Sequence, residues 1–193
     1  MKQRLLVHVC CAPDEAWVIH ALKEEAYELR CFFCNPNIQP AEEYEKRLSE
    51  ARGVALRFKV PFDEDPYQPQ QWEEAIAAAP PSPEGGARCE RCFLLRLRRT
   101  AGFCASIGWP GFTTVMSISP HKKIDMLNAT GVLAAKEHGV TYEPFNFKKN
   151  DGFLKSIQLS KELGLYRQDY CGCRLSKNER DERRRAAGGA KGL

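Results

Sequence analysis

The sequence predicts an α/β fold with a mainly parallel sheet and flanking helices. Two observations support this class: short apolar segments of strand length alternate with segments of helical periodicity, and proline, glycine or asparagine separates them. A chain of 193 residues, of which 43% are hydrophobic and 28% charged, suits one globular domain. No internal repeat is visible in the sequence.

The first half of the chain contains three predicted strands and three predicted helices. Residues 4–9 form an apolar run of strand length, and a helical pattern begins at Pro13 with Val18 and Leu22 on one face. The other elements are strands over 28–33 and 55–59 and helices over 40–52 and 70–79. A stretch rich in proline and glycine, residues 80–86, is predicted to be a loop.

The second half continues this alternation. Helices are predicted over residues 90–107, 121–138, 151–163 and 176–187, and strands over 111–117 and 141–147. Gly164 is the expected C-cap of the third of these helices. We therefore expect a single α/β catalytic domain over residues 1–175, with a Rossmann-like or HUP-like three-layer architecture, followed by a basic helix or tail over 176–193.

Thiol, amide, hydroxyl and imidazole groups follow the predicted strand ends. Cys10 and Cys11 come directly after the first strand. The amide, hydroxyl and imidazole groups that follow other predicted strands belong to Asn35, Asn37, Ser117, Ser119 and His121. Ligands of parallel α/β folds bind at the carboxyl ends of the strands, and the amino end of the helix near Asp14 would stabilise thiolates there. The sequence thus predicts a metal site at the C-terminal edge of the sheet.

Six of the nine cysteines form three close pairs, Cys10 with Cys11, Cys89 with Cys92, and Cys171 with Cys173. Without a secretion signal the expected location is the cytoplasm, where disulfides are rare. Paired thiols then indicate a metal or iron–sulfur site assembled by folding. A zinc site of the last four thiols would leave the vicinal pair unexplained, and a redox C-x-x-C motif over 89–92 is a further alternative. The other three cysteines, Cys31, Cys34 and Cys104, are expected to be buried in the core.

Basic residues are concentrated near the C-terminus and near the paired cysteines. Over residues 174–193, Lys and Arg outnumber Asp and Glu by seven to three, which accounts for the net charge of +4. Further basic groups surround the second cysteine pair and occupy residues 121–123 and 148–149. Basic groups near a candidate active site favour a polyanionic substrate such as nucleic acid. No apolar stretch is long enough to cross a bilayer, so no membrane partner is expected.

Five motifs follow one another along the chain. They read VCCAP at residues 9–13, FCNPNI at 33–38, RCERCF at 88–93, TTVMSISPHK at 113–122 and ELGLYRQDYCGC at 162–173. Together they resemble the cobalamin-independent epoxyqueuosine reductases, and the resemblance extends over almost all of residues 5–176. The last motif is the most specific of the five, whereas the basic tail lies outside the resemblance.

Members of that family reduce the cyclopentane epoxide of a modified wobble nucleoside in tRNA to an alkene, the last step of queuosine formation. The resemblance implies a [4Fe–4S] cluster with an adjacent iron. The metal-binding and cofactor-binding set that it implies is Cys10, Cys11, Cys89, Cys92, Cys171 and Cys173. Many members read C-C-A-P-C where this chain has Asp14 at the last position. A carboxylate suits a separate iron better than a cluster corner, and the alternative for Asp14 is an N-cap.

Reduction of an epoxide to an alkene and water needs two electrons and two protons. The chain has no nucleotide-cofactor fingerprint, so an external one-electron donor is the expected source of electrons. The adjacent iron would act as a Lewis acid on the epoxide oxygen, with Asp14 and His121 as candidate catalytic residues and His8 as a further candidate proton source. The tRNA anticodon loop is the expected partner. Its candidate phosphate-binding residues are Arg88, Arg91, Lys122, Lys123, Lys148 and Arg167.

Two other classes of function fit parts of the sequence. A zinc-stabilised RNA-binding module without catalysis would explain two of the three cysteine pairs and the basic residues. An ATP-dependent tRNA-modifying α/β enzyme would share the strand-then-turn layout after Val9. However, this turn lacks the glycine-rich segment that cradles a phosphate, and Pro13 removes a backbone donor.

Overall fold

The computed structural model describes residues 2–25 and 27–189. The strands are β1 Arg4–Val9, β2 Glu28–Phe33, β3 Phe62–Glu64, β4 Gly111–Thr114 and β5 Thr141–Tyr142. The α-helices are α1 Ala12–Glu24, α2 Ala41–Arg57, α3 Pro69–Ala77, α4 Ala87–Ser106, α5 Ile124–His138, α6 Gly152–Glu162 and α7 Arg174–Gly189. Among these elements, no helix combines the length and apolar character that a membrane crossing requires.

The sheet confirms the predicted fold class. Its five strands lie in the order β3-β2-β1-β4-β5, and every neighbouring pair is parallel. The chain moves outward from β1 to β3 and then returns to the other side of β1 at β4. This order places a topological switch point between β1 and β4, which is where open parallel sheets bind ligands, beyond the carboxyl ends of the strands.

Strand β1 lies at the centre of the sheet and supplies side chains to both faces. Leu5, Val7 and Val9 alternate with Leu6, as the period of two requires, and all four are fully buried. The first three pack in a hydrophobic cluster that also contains residues of α1 and α2. Leu6 packs in a second cluster with residues of α4 and α5. Helices therefore cover both faces, as expected for a parallel sheet.

Two of the predicted strands are wrong in extent or position. Residues 55–59 do not form a strand, because α2 continues to Arg57 with Val54 and Ala55 buried on its inner face. The third strand is instead Phe62–Glu64, which pairs with β2. The strand predicted over 141–147 stops at Tyr142, and Pro144 shortly afterwards has no N–H to donate to a sheet.

Two further element boundaries differ from the prediction after the start of β4. The strand predicted over 111–117 ends at Thr114, where the chain turns into a 3₁₀ helix, Val115–Ile118. The Thr114 hydroxyl accepts a hydrogen bond from the Met116 backbone N–H and thereby caps this turn. Helix α5 begins three residues later than predicted, at Ile124.

Helix α7 crosses the predicted boundary between the catalytic domain and the basic tail. It begins at Arg174, directly after the last cysteine, and Ser176 in its first turn is buried. Further along, Glu179 pairs with Arg88, and Arg180 pairs with Asp169. Ion pairs therefore attach this polar helix to the rest of the fold. Residues 190–193 of the predicted tail lie outside the described residues.

Substitution of Gly152 by alanine should destabilise the fold strongly. A Cβ atom at this position, the start of α6, would lie 1.8 Å from the Phe147 carbonyl oxygen. We expect the free energy of unfolding to fall by about 3 kcal/mol or more, because backbone must move to relieve the overlap. Gly53→Ala is the matched control: its Cβ meets nothing within 4 Å, and helix propensity should make it stabilising by about 0.5–1 kcal/mol. Chemical denaturation of both variants measures the difference.

Candidate metal centre

A cavity of about 370 Å³ opens at the switch point between β1 and β4. Cys10 follows the end of β1, and Asp14 lies in the first turn of α1. On the opposite side, the segment after β4 contributes Ser119 and His121. The remaining lining includes Arg47, Arg96, Lys122, Arg167, Tyr170 and Cys171. The topology thus brings residues from widely separated parts of the chain to one site.

Cys10, Cys11 and Asp14 form a compact group of candidate metal ligands. Their two sulfurs and one carboxylate oxygen all lie within 4.8 Å of one another, and the two sulfurs are 3.9 Å apart. Local structure explains the grouping, because β1 ends at Val9 and α1 begins at Ala12, with Cys11 as its N-cap. Asp14 is therefore in the first turn and is not the N-cap. Two thiols and a carboxylate form a mixed soft and hard donor set that suits iron.

The environment of this group holds part of it in the protonated state. The hydrogen bond with Cys10 and burial raise the pKa of Cys11 well above its usual range, while the same hydrogen bond lowers the pKa of Cys10. Burial raises the pKa of Asp14 to about 6. Anionic ligands crowded in this way repel one another, and a bound cation would remove the repulsion. The donor set and its electrostatics therefore fit a metal ion.

The two downstream cysteine pairs lie near each other. Cys92 and Cys173 pack in one apolar cluster with Trp72, and all three are nearly inaccessible to solvent. Burial raises the pKa of Cys89, Cys92 and Cys173, and a thiolate at Cys171 raises it further in each case. For Cys92 the pKa reaches about 11. Three buried thiols and the partly exposed Cys171 are together also a suitable donor set for a metal centre.

Trp72 provides an independent test of that fit. The side chain is 1% exposed, and its indole Nε1 makes no hydrogen bond to any acceptor in the described part of the chain. An orphaned buried N–H is costly unless an acceptor is present, and a metal-bound thiolate at Cys92 would be a strong acceptor.

Arg96 links the two groups of thiols. The side chain is 2% exposed, and its guanidinium donates to the Cys34 carbonyl oxygen at 3.3 Å and to Asn35 Oδ1 at 2.5 Å. Burial acts to lower the pKa of Arg96, but the thiolates of Cys92 and Cys10 raise it above its usual value. A fixed positive charge beside both groups favours their anionic forms.

Arg47 holds the loop that carries Cys171 and Cys173 through hydrogen bonds. This arginine of α2 is 2% exposed and donates to the carbonyl oxygens of Tyr170 at 3.2 Å and Cys171 at 3.1 Å. Gly172 between the two cysteines has a φ of +130°, and a Cβ there would meet Ile38 at 3.0 Å. The glycine of the C-G-C motif is therefore required by the backbone conformation and by close packing.

The candidate catalytic histidines lie in different environments. His121 is exposed and lines the cavity. His8 is fully buried, with Nδ1 2.8 Å from Thr114 Oγ1 and Nε2 3.1 Å from the Cys34 carbonyl oxygen. Burial lowers the pKa of His8 well below its usual value, so this side chain is neutral at pH 7. His121 is thus the histidine that a ligand in the cavity could reach.

The six candidate phosphate-binding residues differ in their exposure and in their partners. Arg91 and Lys123 are exposed, and Arg167 is exposed at the cavity. Arg88 pairs with Glu179, and Lys148 donates through Nζ to the Lys122 carbonyl oxygen at 3.1 Å.

Lys122 is largely buried. Its Nζ donates to Glu84 Oε1 at 2.7 Å and to Cys171 Sγ at 2.9 Å, so the ammonium is directed at a candidate ligand.

Several site residues were not predicted from the sequence. Arg96 follows Cys89 and Cys92 at intervals that place all three on one face of α4, and this spacing is a signal that could have identified it. Arg47 and Trp72 carry no comparable signal, because their roles depend on contacts with segments far away in the sequence. Cys31, Cys34 and Cys104 are buried in the two hydrophobic clusters, where the sequence predicted them.

The fold and the site define an α/β protein of parallel-sheet type, with thiols, a carboxylate and buried cations gathered at the carboxyl edge of the sheet. The chain belongs to the family described as epoxyqueuosine reductase QueH, whose model matches residues 5–179. It is accordingly an oxidoreductase.

Individual relatives support this membership. The epoxyqueuosine reductase QueH of Thermotoga maritima is 38% identical over 182 residues, which cover 93% of this chain and 93% of the relative. The protein of that name from Haemophilus influenzae is 34% identical, with 96% of this chain and 76% of the relative covered. A solved structure, a predicted subunit of tRNA methyltransferase from Methanocaldococcus jannaschii, gives a TM-score of 0.53 at 12% identity over 83% of this chain and 89% of its own. That likeness shows the fold alone.

Proposed function

We propose that the protein reduces the epoxide of epoxyqueuosine at the tRNA wobble position to the alkene of queuosine, using an iron–sulfur cluster and an adjacent iron. Family membership supports the reaction. The observation that carries the metal assignment is the group of Cys10, Cys11 and Asp14, whose ligand atoms lie within 4.8 Å beside a cavity that Cys171 also lines. The proposed location is the cytoplasm, which keeps thiols reduced.

The six paired thiols divide into two sets in this proposal. Cys10 and Cys11 hold the adjacent iron together with Asp14, because these three residues already form one compact group. The [4Fe–4S] cluster is assigned to the other four thiols, three of which are buried and have their pKa raised by the partly exposed fourth, Cys171. Its ligands would be Cys89, Cys92, Cys171 and Cys173. Four thiolates are the usual requirement of such a cluster.

The reaction consumes two electrons and two protons and releases the epoxide oxygen as water. When bound, the metal groups would deliver electrons one at a time and polarise the epoxide oxygen. His121 lies at the cavity in an exposed position from which it could pass a proton to that oxygen. The buried Arg96 and Arg47 line the same cavity and would supply positive charge to a bound anionic group, and Tyr170 also belongs to the lining. An external one-electron donor completes the electron supply.

Substitution of Arg167 by glutamine should weaken tRNA binding equally for all sequences. The side chain is exposed at the cavity, where a splayed wobble nucleotide would bring its phosphates. We expect the slope of log K against log salt to fall by about one, because one phosphate contact is lost. Arg57→Gln, at the exposed end of α2, is the control and should leave the slope unchanged. Binding isotherms at several salt concentrations provide the measurement, and equal slopes for both variants would remove Arg167 from the interface.

The proposed function is tested on protein purified without oxygen. Iron, zinc and acid-labile sulfide are measured per chain, followed by electron paramagnetic resonance spectroscopy after reduction. Conversion of epoxyqueuosine to queuosine is then measured in tRNA with a chemical reductant. The proposal requires sulfide, more iron than sulfide, and conversion. One zinc per chain without sulfide would favour the RNA-binding module instead, and tight ATP binding would favour the nucleotide-dependent enzyme.

A further inference from the structure

Three of the four proposed cluster thiols receive a hydrogen bond from a nitrogen atom of the protein. The Lys122 ammonium lies 2.9 Å from Cys171 Sγ. The Gly85 backbone N–H reaches Cys89 Sγ at 3.2 Å, and the Ser176 backbone N–H reaches Cys173 Sγ at 3.4 Å. Each donor approaches a different sulfur, and each comes from a different segment of the chain.

The fourth thiol, Cys92, packs with Trp72 in one small apolar cluster. The indole N–H of Trp72 makes no hydrogen bond to any acceptor of the described residues, sulfur atoms included. Of the three observed donors, two are backbone N–H groups, which a simple substitution cannot remove. The Lys122 ammonium belongs to a side chain and can be removed.

The surroundings of Lys122 separate this contact from a role in phosphate binding. Its side chain is only 10% exposed, and Glu84 holds the ammonium at 2.7 Å from the opposite side. Lys148 in turn bonds to the Lys122 carbonyl oxygen. Both the position and the direction of the ammonium are thus fixed by the fold, and it points at a sulfur that lines the cavity.

We propose that Lys122 is a positioning residue that raises the reduction potential of the cluster through its N–H···S contact with Cys171. This inference rests on the proposed function, because it requires a cluster at these four thiols. Reduction adds negative charge to the cluster and its sulfurs. Hydrogen-bond donors, and a positive charge in particular, stabilise that added charge and so make the potential less negative.

Lys122→Met removes the side-chain donor, because it keeps most of the aliphatic stem and lacks the ammonium. The inference predicts a shift of the cluster potential to more negative values in this variant, since both an N–H donor and a full positive charge are lost. Redox titration monitored by electron paramagnetic resonance measures the potential without any need for tRNA or turnover.

Matched controls distinguish the sulfur contact from a purely structural role. Glu84→Gln breaks the same ion pair but leaves the Lys122–Cys171 contact, and since it removes a negative charge, the potential should stay unchanged or become less negative. Lys122→Arg should restore part of the shift. Lys136→Met, which removes an exposed lysine in the last turn of α5, should leave the potential at its wild-type value.

The outcomes separate this inference from the proposed function. An unchanged potential in Lys122→Met, or a negative shift in Glu84→Gln as large as that in Lys122→Met, would overturn the inference while the function stands. Absence of any cluster in the wild type would overturn both. A cluster with the predicted shift but no conversion of tRNA would overturn only the function. If Lys122→Met fails to retain iron and sulfide, Lys122→Gln decides, because it keeps a polar N–H and removes the charge: a wild-type potential in that variant would overturn the inference.

Discussion

Replacement of Asp14 by asparagine is expected to remove one iron per chain while the sulfide content stays unchanged. Asp14 supplies the only carboxylate of the compact group formed with Cys10 and Cys11. Asparagine keeps the size of the side chain but offers a neutral and weaker ligand. Mutation of residues that only orient metal ligands typically lowers activity by about 10–100-fold. Because Asp14 is itself a proposed ligand, we expect turnover to fall by at least about 100-fold.

The measurements are iron and sulfide analysis together with single-turnover conversion of the modified tRNA. Asp125→Asn is the matched control, since Asp125 is an exposed carboxylate in the first turn of α5. This control should retain full iron content and activity. Loss of sulfide together with iron in Asp14→Asn would instead place the carboxylate at the cluster, and unchanged iron would exclude Asp14 as a ligand.

Replacement of Arg47 by methionine should cause the second large effect. The guanidinium pairs with Glu43 at 2.7 Å and bonds to two carbonyl oxygens of the loop that carries Cys171 and Cys173. Methionine would leave these acceptors buried without a partner. We expect the free energy of unfolding to fall by about 3–5 kcal/mol, the usual cost of removing one member of a buried ion pair. Chemical denaturation of metal-free protein measures this change in the free energy of unfolding without any contribution from bound metal.

Arg52→Met on the same helix is the control. Arg52 pairs with Glu64 at the surface, and its side chain is 53% exposed. Exposed pairs contribute little, so the free energy of unfolding should change by less than about 1 kcal/mol. Equal effects of the two substitutions would show that the loop is held by contacts other than Arg47.

The sequence was most informative where local pattern and chemistry coincide. The alternation in β1, the turn at Cys10 and Cys11 and the paired cysteines follow from neighbouring residues, and the structure places Cys10 and Cys171 at one cavity, as this pattern predicts. The strand predicted over 55–59 was wrong because its apolar residues equally satisfy the buried face of a continuing helix, and short apolar runs do not distinguish the two.

Contacts between distant segments could not be predicted in the same way. Charge alone suggested that Lys122 binds phosphate, yet its direction toward Cys171 depends on the path of two loops that only the fold brings together. The support that Arg47 gives to the carbonyl oxygens near the C-terminus has the same origin. Such roles belong to tertiary structure and leave no periodic or spacing signal in a single sequence.

The three cysteine pairs begin near residues 10, 89 and 171, and so divide most of the chain into two loops of comparable length. In the proposed division of the thiols, the cluster binds the second and third pairs and would cross-link the middle of the polypeptide to its end, whereas the adjacent iron binds only residues 10–14. A cross-link that closes a loop of about eighty residues lowers the conformational entropy of the unfolded chain, in the manner of a disulfide bond. Metal occupancy would then add to the resistance of the whole molecule to denaturation, in addition to its part in electron transfer.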